Sequence, residues 1–171
     1  MVQSVAEISP AQAETVRDFA CSELFDRTFK EGMELVEETA AYLDGEGRRD
    51  SKLLSRSAAL AYAGESMRLT TRLMQVASWL LVQRAVREGD MDPREACLSR
   101  YRIGAQSVCR AESVDAVEDL PEGLLLLLDR SERLYDRVLH LDTRMFVDGP
   151  VEESAHPVLS QMERLQAAFG R

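Results

Sequence analysis

Apolar side chains recur at steps of three and four along most of this chain, and they gather into three long segments. The most informative is Lys52–Glu88, which has no proline and a single glycine, Gly64. Two apolar lines run along it at helical spacing. One passes through Leu60, Gly64, Met67, Thr71, Met74, Ser78, Leu81 and Ala85; the other through Tyr62, Ser66, Leu69, Leu73, Val76 and Leu80. A helix on a protein surface needs only one apolar stripe. Two stripes predict neighbours on two sides, and so a central helix over 51–88. Leu69, Leu73, Val76 and Leu80 are expected to face one neighbour, and Met67, Met74 and Leu81 another helix or a second copy of the chain. Asp50 and Ser51 are the candidate N-caps, Gly89 the stop, and the length about 57 Å.

A first helix is predicted over 13–44, with Phe19, Phe25, Phe29, Met33, Val36, Ala40 and Leu43 on its apolar face. Gly32 inside it reads as a point of close helix approach, and Asp44-Gly45-Glu46-Gly47 ends it. The short turn that follows predicts an antiparallel hairpin with the central helix. Asp92-Pro93 opens a shorter helix reaching about Arg102. Residues 103–119 read as loop with a turn of helix. A third long helix is predicted over 121–146, striped by Leu124, Leu127, Leu128, Ser131, Leu134, Val138, Leu141 and Met145, and Asp148-Gly149-Pro150 ends it. The predicted fold is all-α: an antiparallel three-helix bundle with a short extra helix and a flexible C-terminal tail. Its divisions are a flexible N-terminus over 1–12, the bundle over 13–148 and the tail over 149–171. In the tail Leu159, Met162, Leu165 and Phe169 form a stripe too short to stand as a helix alone.

Composition supports this reading. Hydrophobic residues are 45% of the 171 and aromatics only 6%, which suits a Leu-, Ala- and Met-rich helical core. The net charge of −9 argues against nucleic acid or an anionic membrane as the main partner. Residues 51–88 carry a balance of +4 between acidic flanks of −7 and −6, which would favour a basic central helix between acidic neighbours; the preferred expectation is that these charges mostly line solvated faces and contribute little each. Uninterrupted apolar runs such as Leu124–Leu128 are too short to span a bilayer. No basic start followed by an apolar run marks a signal peptide. Three cysteines without a CxxC pair point to reduced thiols and a cytoplasmic protein.

Little in the chain suggests chemistry. Glu153-Ser154-Ala155-His156 is one Glu-x-x-His where a di-iron bundle needs two, and the other histidine, His140, has Arg137 in the matching place. No GxSxG, GxGxxG or phosphate-binding loop occurs, and Cys21 reads as a packed thiol. No catalytic, cofactor or metal residue is nominated, and no enzyme is expected. Glu65, Arg68, Arg72, Gln75, Trp79 and Gln83 make a third line along the central helix. Glu65 is placed to pair with Arg68 one turn on. Arg68, Arg72 and Trp79 have the composition of a protein-recognition surface; the alternative is that Trp79 belongs to the core or a dimer interface, with solvated charges around it.

The blocks FKEGMELVEETAAYLDGEGR (Phe29–Arg48) and ALAYAGESMRLTTRLMQVASWLLVQRAVREG (Ala59–Gly89) resemble the alphaproteobacterial family of the regulator of CtrA degradation, RcdA. LPEGLLLLLDRSERLYDRV (Leu120–Val138) and MERLQAAFG (Met162–Gly170) are also similar to it. The resemblance implies a three-helix bundle that self-associates, most simply as a homodimer. It implies a non-enzymatic cytoplasmic adaptor, recruited to the cell pole, that joins a ClpXP protease primed by the response regulator CpdR. Such an adaptor delivers transcription regulators for cell-cycle-regulated degradation, and a further adaptor, PopA, docks on it to bring CtrA. The family's tail engages the primed protease, which here implies Val151–Arg171 with Leu159, Met162, Leu165 and Phe169 as contacts. The alternative is a dimeric helical structural or signalling module with no protease link.

Overall fold

The structure, a computed structural model, describes residues 8–104, 106–109 and 119–146. The tail and its four apolar residues lie outside these. Helix is the only regular structure among the described residues. The first predicted helix is two. Helix α1 spans Pro10–Ala20, so it begins before residue 13; Ser9 accepts from the Ala11 N–H and donates its own N–H to Gln12 Oε1. Helix α2 spans Glu23–Asp44. Ser22 causes the break. Its hydroxyl donates to the Phe19 carbonyl at 2.7 Å and accepts from the Phe25 N–H at 3.2 Å, closing one helix and opening the next. Cys21 at this junction is exposed, not the packed thiol expected from its apolar neighbours.

Beyond Gly45 the chain forms a short α3, Glu46–Asp50, and a 3-10 turn, Ser51–Leu53. The central helix α4 spans Arg56–Glu88, later than predicted, because Leu54 is extended and Ser55 is the residue whose hydroxyl accepts from a first-turn N–H, that of Ala58 at 3.2 Å. At 33 residues it is about 50 Å long. Gly89 ends it with φ 81°, a conformation only glycine adopts without strain. The expected Asp92 cap opens α5, but this helix covers only Pro93–Ala96, and a 3-10 turn at Ser99–Tyr101 follows. Helix α6 is Gln106–Cys109 and α7 is Glu122–Phe146.

The directions of the long helices differ from the expectation. Arg87 pairs with Asp26, and a Cβ on Gly32 would lie 2.7 Å from Leu80 Cδ1, so α2 and α4 are antiparallel and approach closely at Gly32, as predicted. Glu31 and Glu38 pair with Arg137 and Arg130, so α2 and α7 are antiparallel as well. Arg72 meets Ser131 and Trp79 meets Asp142, so α4 and α7 run parallel. A parallel pair needs a connection that returns the length of the helices. Here Arg102, Gly104 and Cys109 lie in turn beside Trp79's partner, Gln75 and Arg72, travelling back along α4.

The main core joins Phe25 and Leu35 of α2, Leu69, Leu73, Val76 and Leu80 of α4, and Leu124, Leu127, Leu134 and Val138 of α7. On α2 the buried line is Phe25, Thr28, Gly32, Leu35 and Thr39; Met33 and Val36 flank it and Ala40 is exposed. The small residues sit where two helices straddle α2, and larger ones fit only to the sides. A second cluster joins Val16 and Ala20 of α1, Val86 of α4 and Ala96, Cys97 and Leu98 around α5.

Candidate functional site: two faces of the central helix

The line Glu65, Arg72, Trp79 and Gln83 is buried, not a surface. Trp79 is 2% exposed. Its ring packs on Phe19 at 5.5 Å between centroids, and its indole N–H donates to Asp142 Oδ1 at 2.9 Å. Asp142 also accepts from Arg102, with Nη2 to Oδ2 at 2.7 Å, and the Arg102 guanidinium lies 4.4 Å from the Phe146 ring centroid. Arg72 donates to the Cys109 carbonyl at 2.7 Å, the Ser131 hydroxyl at 2.9 Å and the Leu128 carbonyl at 3.1 Å. The Gly104 N–H donates to Gln75 Oε1 at 3.1 Å, and Tyr135 donates to the Gly104 carbonyl at 2.9 Å. Arg68 pairs with Glu65 at 3.2 Å, as its spacing predicted.

Arg72 and Trp79 therefore leave the list of surface contacts, and Arg68 is mostly covered beside Glu65. The returning segment explains why. Outside a regular helix its backbone polar groups need partners, and α4 and α7 supply them from side chains. Burial pushes the Cys97 thiol up to about 11, against a smaller opposing pull from Arg102. It raises the Cys109 thiol too, with Tyr135 and Arg72 opposing. Neither thiol is poised as a nucleophile. The described residues hold no group of three or more His, Cys, Asp or Glu able to bind a metal ion, and none of their helices is long and apolar enough to cross a membrane.

The opposite face of α4 carries the first apolar line. Leu60, Met67, Met74 and Leu81 are between 51% and 72% exposed. Beside it a groove of 340 Å3 runs between α2 and α4, lined by Val36, Ala40, Leu43, Leu73, Met74 and Ala77. A contiguous exposed apolar strip marks an interaction surface more often than chance.

These features define an all-helical protein whose central helix turns polar groups inward and leucine and methionine outward. The family model described as "Protein of unknown function (DUF1465)" matches residues 16–169. The chain belongs to this family, that of the regulator of CtrA degradation, RcdA. Among solved structures it is similar to RcdA from Caulobacter crescentus CB15, with 70% identity over 77% of this chain and 98% of that one, and a TM-score of 0.63. Comparison with curated proteins gave no match.

Proposed function

We propose that this chain is a non-enzymatic adaptor that brings transcription-regulator substrates to a ClpXP protease primed by a CpdR-like response regulator. The observation that carries this is the 70% identity to RcdA along nearly all of the chain in its solved structure. Two features of the fold agree with it. Arg72 and Gln75 of α4 and Tyr135 and Asp142 of α7 are committed to holding the returning segment, and the exposed line on α4 offers a face for another protein. In this reading the three long helices form one bundle domain, and Leu60, Met67, Met74 and Leu81 make the homodimer contact. A PopA-like adaptor docks on the bundle, and the assembly gathers at the cell pole. The arm Val151–Arg171 engages the primed protease through Leu159, Met162, Leu165 and Phe169, as helical anchors entering a groove.

The test is Leu165→Ala with Phe169→Ala. The melting temperature is expected to stay unchanged while delivery of a candidate regulator to ClpXP and CpdR is lost. Intact delivery would remove these residues from the mechanism, and a large fall in melting temperature would assign them to the fold instead. The exposed α4 line equally suits a dimeric module with no protease link. That second reading gains if a tail-deleted chain and the full chain recover the same protease components, or none, in a pull-down.

A further inference from the structure

The end of the molecule where α2 gives way to α3 and where α7 begins contains a hollow of 560 Å3, within the range of about 300–1,000 Å3 usual for binding sites. Leu53, Leu54, Pro121 and Leu126 form its apolar lining. Leu53 is 86% exposed and Leu126 is 55% exposed, so this lining is turned toward solvent. Four carboxylates border it: Glu46 and Asp50, one helical turn apart on α3, and Asp119 and Glu122 on either side of Pro121. None of the four has an ion-pair or hydrogen-bond partner among the described residues. Glu31 and Glu38, by contrast, are matched by arginines of α7 at 2.7 and 2.6 Å. Arg48, Arg49 and Lys52, on the same turn of chain, do not line the hollow.

The field of these acids is felt next door. The Tyr42 phenol is pushed up to about 12, first by burial, then by Tyr62 and Asp50, with Glu46 adding to it. Tyr62 is raised by burial, with a contribution from Asp50.

We propose that this hollow is a docking site for a cationic amphipathic peptide segment of a partner protein, with leucine-sized anchors against Leu53, Leu54 and Leu126 and lysine or arginine on the carboxylate rim. The choice of occupant follows from charge. A purely apolar segment would cover the rim and leave its carboxylates desolvated without partners, which is costly. An acidic segment, or a second copy of a chain of net charge −9, would meet like charge. The lining of the hollow shares no residue with the exposed α4 line, so this assignment does not depend on the adaptor reading.

The probe is a fluorescein-labelled peptide, Lys-Leu-Leu-Lys-Leu-Leu-Lys, titrated with the full chain and followed by anisotropy at low and at physiological ionic strength. Binding is expected, weakened by salt. Asp50→Asn with Glu122→Gln should lower the affinity about tenfold, as the loss of two charge pairs allows, and Leu126→Ser should lower it further. These are exposed or half-exposed positions, so the variants should fold. Glu14→Gln with Asp18→Asn, on exposed positions of α1, should change nothing. Backbone amide shifts on titration should cluster at Leu54, Gly123 and Leu126. The proposal is overturned by no binding at low ionic strength, by equal binding of a peptide with glutamate for lysine, by an equal loss in the α1 variant, or by shifts confined to the Met67–Met74 face.

Discussion

The two faces of α4 invert the usual rule for a helix. The face turned inward holds Glu65, Arg72, Trp79 and Gln83, and the face turned outward holds Leu60, Met67, Met74 and Leu81. The difference lies in what each face meets. Leu69, Leu73, Val76 and Leu80 meet other helices, whose backbone groups are already paired, so apolar packing suffices. Arg72 and Gln75 meet a returning segment whose carbonyls and N–H groups have few partners of their own, so polar side chains are what stabilise that side. The outward line is left exposed by the described residues, which is what a surface for a second molecule looks like.

The largest expected effect tests the inward face. Trp79→Ala removes a buried ring and leaves Asp142 one donor short, and should cost about 3–5 kcal/mol in urea titration. A loss below about 0.5 kcal/mol, typical of surface positions, would return Trp79 to the surface role. Next in size is Arg72→Leu, which leaves the Cys109 and Leu128 carbonyls without this donor. A cost of about 1–3 kcal/mol is expected; a neutral result would mean that the returning segment is held by packing and not by these bonds. On the outward face Met67→Ser with Met74→Ser should stay within about 0.5 kcal/mol per site for the monomer, yet shift light scattering toward monomer. Unaltered self-association would separate this face from the dimer contact.

The smallest effect is one of pH. Cys97 titrates at about 11 in the fold against 9.0 when free, so the unfolded chain loses its proton first. The contribution to stability is complete below pH 9 and is lost as pH rises toward 11. Cys109 acts in the same direction. Urea midpoints across this range should fall less steeply in Cys97→Ala than in the parent.

Helix content was readable because period and caps agree at Gly89, at Asp92-Pro93 and along Leu124–Met145. Helix direction was not. Short loops imply antiparallel neighbours, and 103–119 carried no pattern from which to see a segment running back along α4. The break at Ser22 was hidden because residues on both sides keep apolar spacing. Ser51 and Ser55 are equally good caps in composition, and only the extended Leu54 decides between them. The third line on α4 was seen, but its meaning was split between core and surface. Arginine reads as exposed unless its acceptors are known, and those of Arg72 are two backbone carbonyls and the Ser131 hydroxyl, none of which has a sequence signature. The acidic hollow was missed because its lining comes from two segments some seventy residues apart.

The manner in which the returning segment is held bears on how such a chain can diverge. Arg72, Gln75 and Tyr135 address its backbone at Cys109 and Gly104, so these bonds set the path without reading side chains, whereas Ile103 and Cys109 are fixed by the core and Arg102 by Asp142. Gly104 is constrained as well, since a Cβ would come within 3.3 Å of Gln75 Oε1. The burden of inheritance is shared: the helices must retain the donors and acceptors, and the chain they grip must retain Arg102 for Asp142 and apolar volume at Ile103 and Cys109.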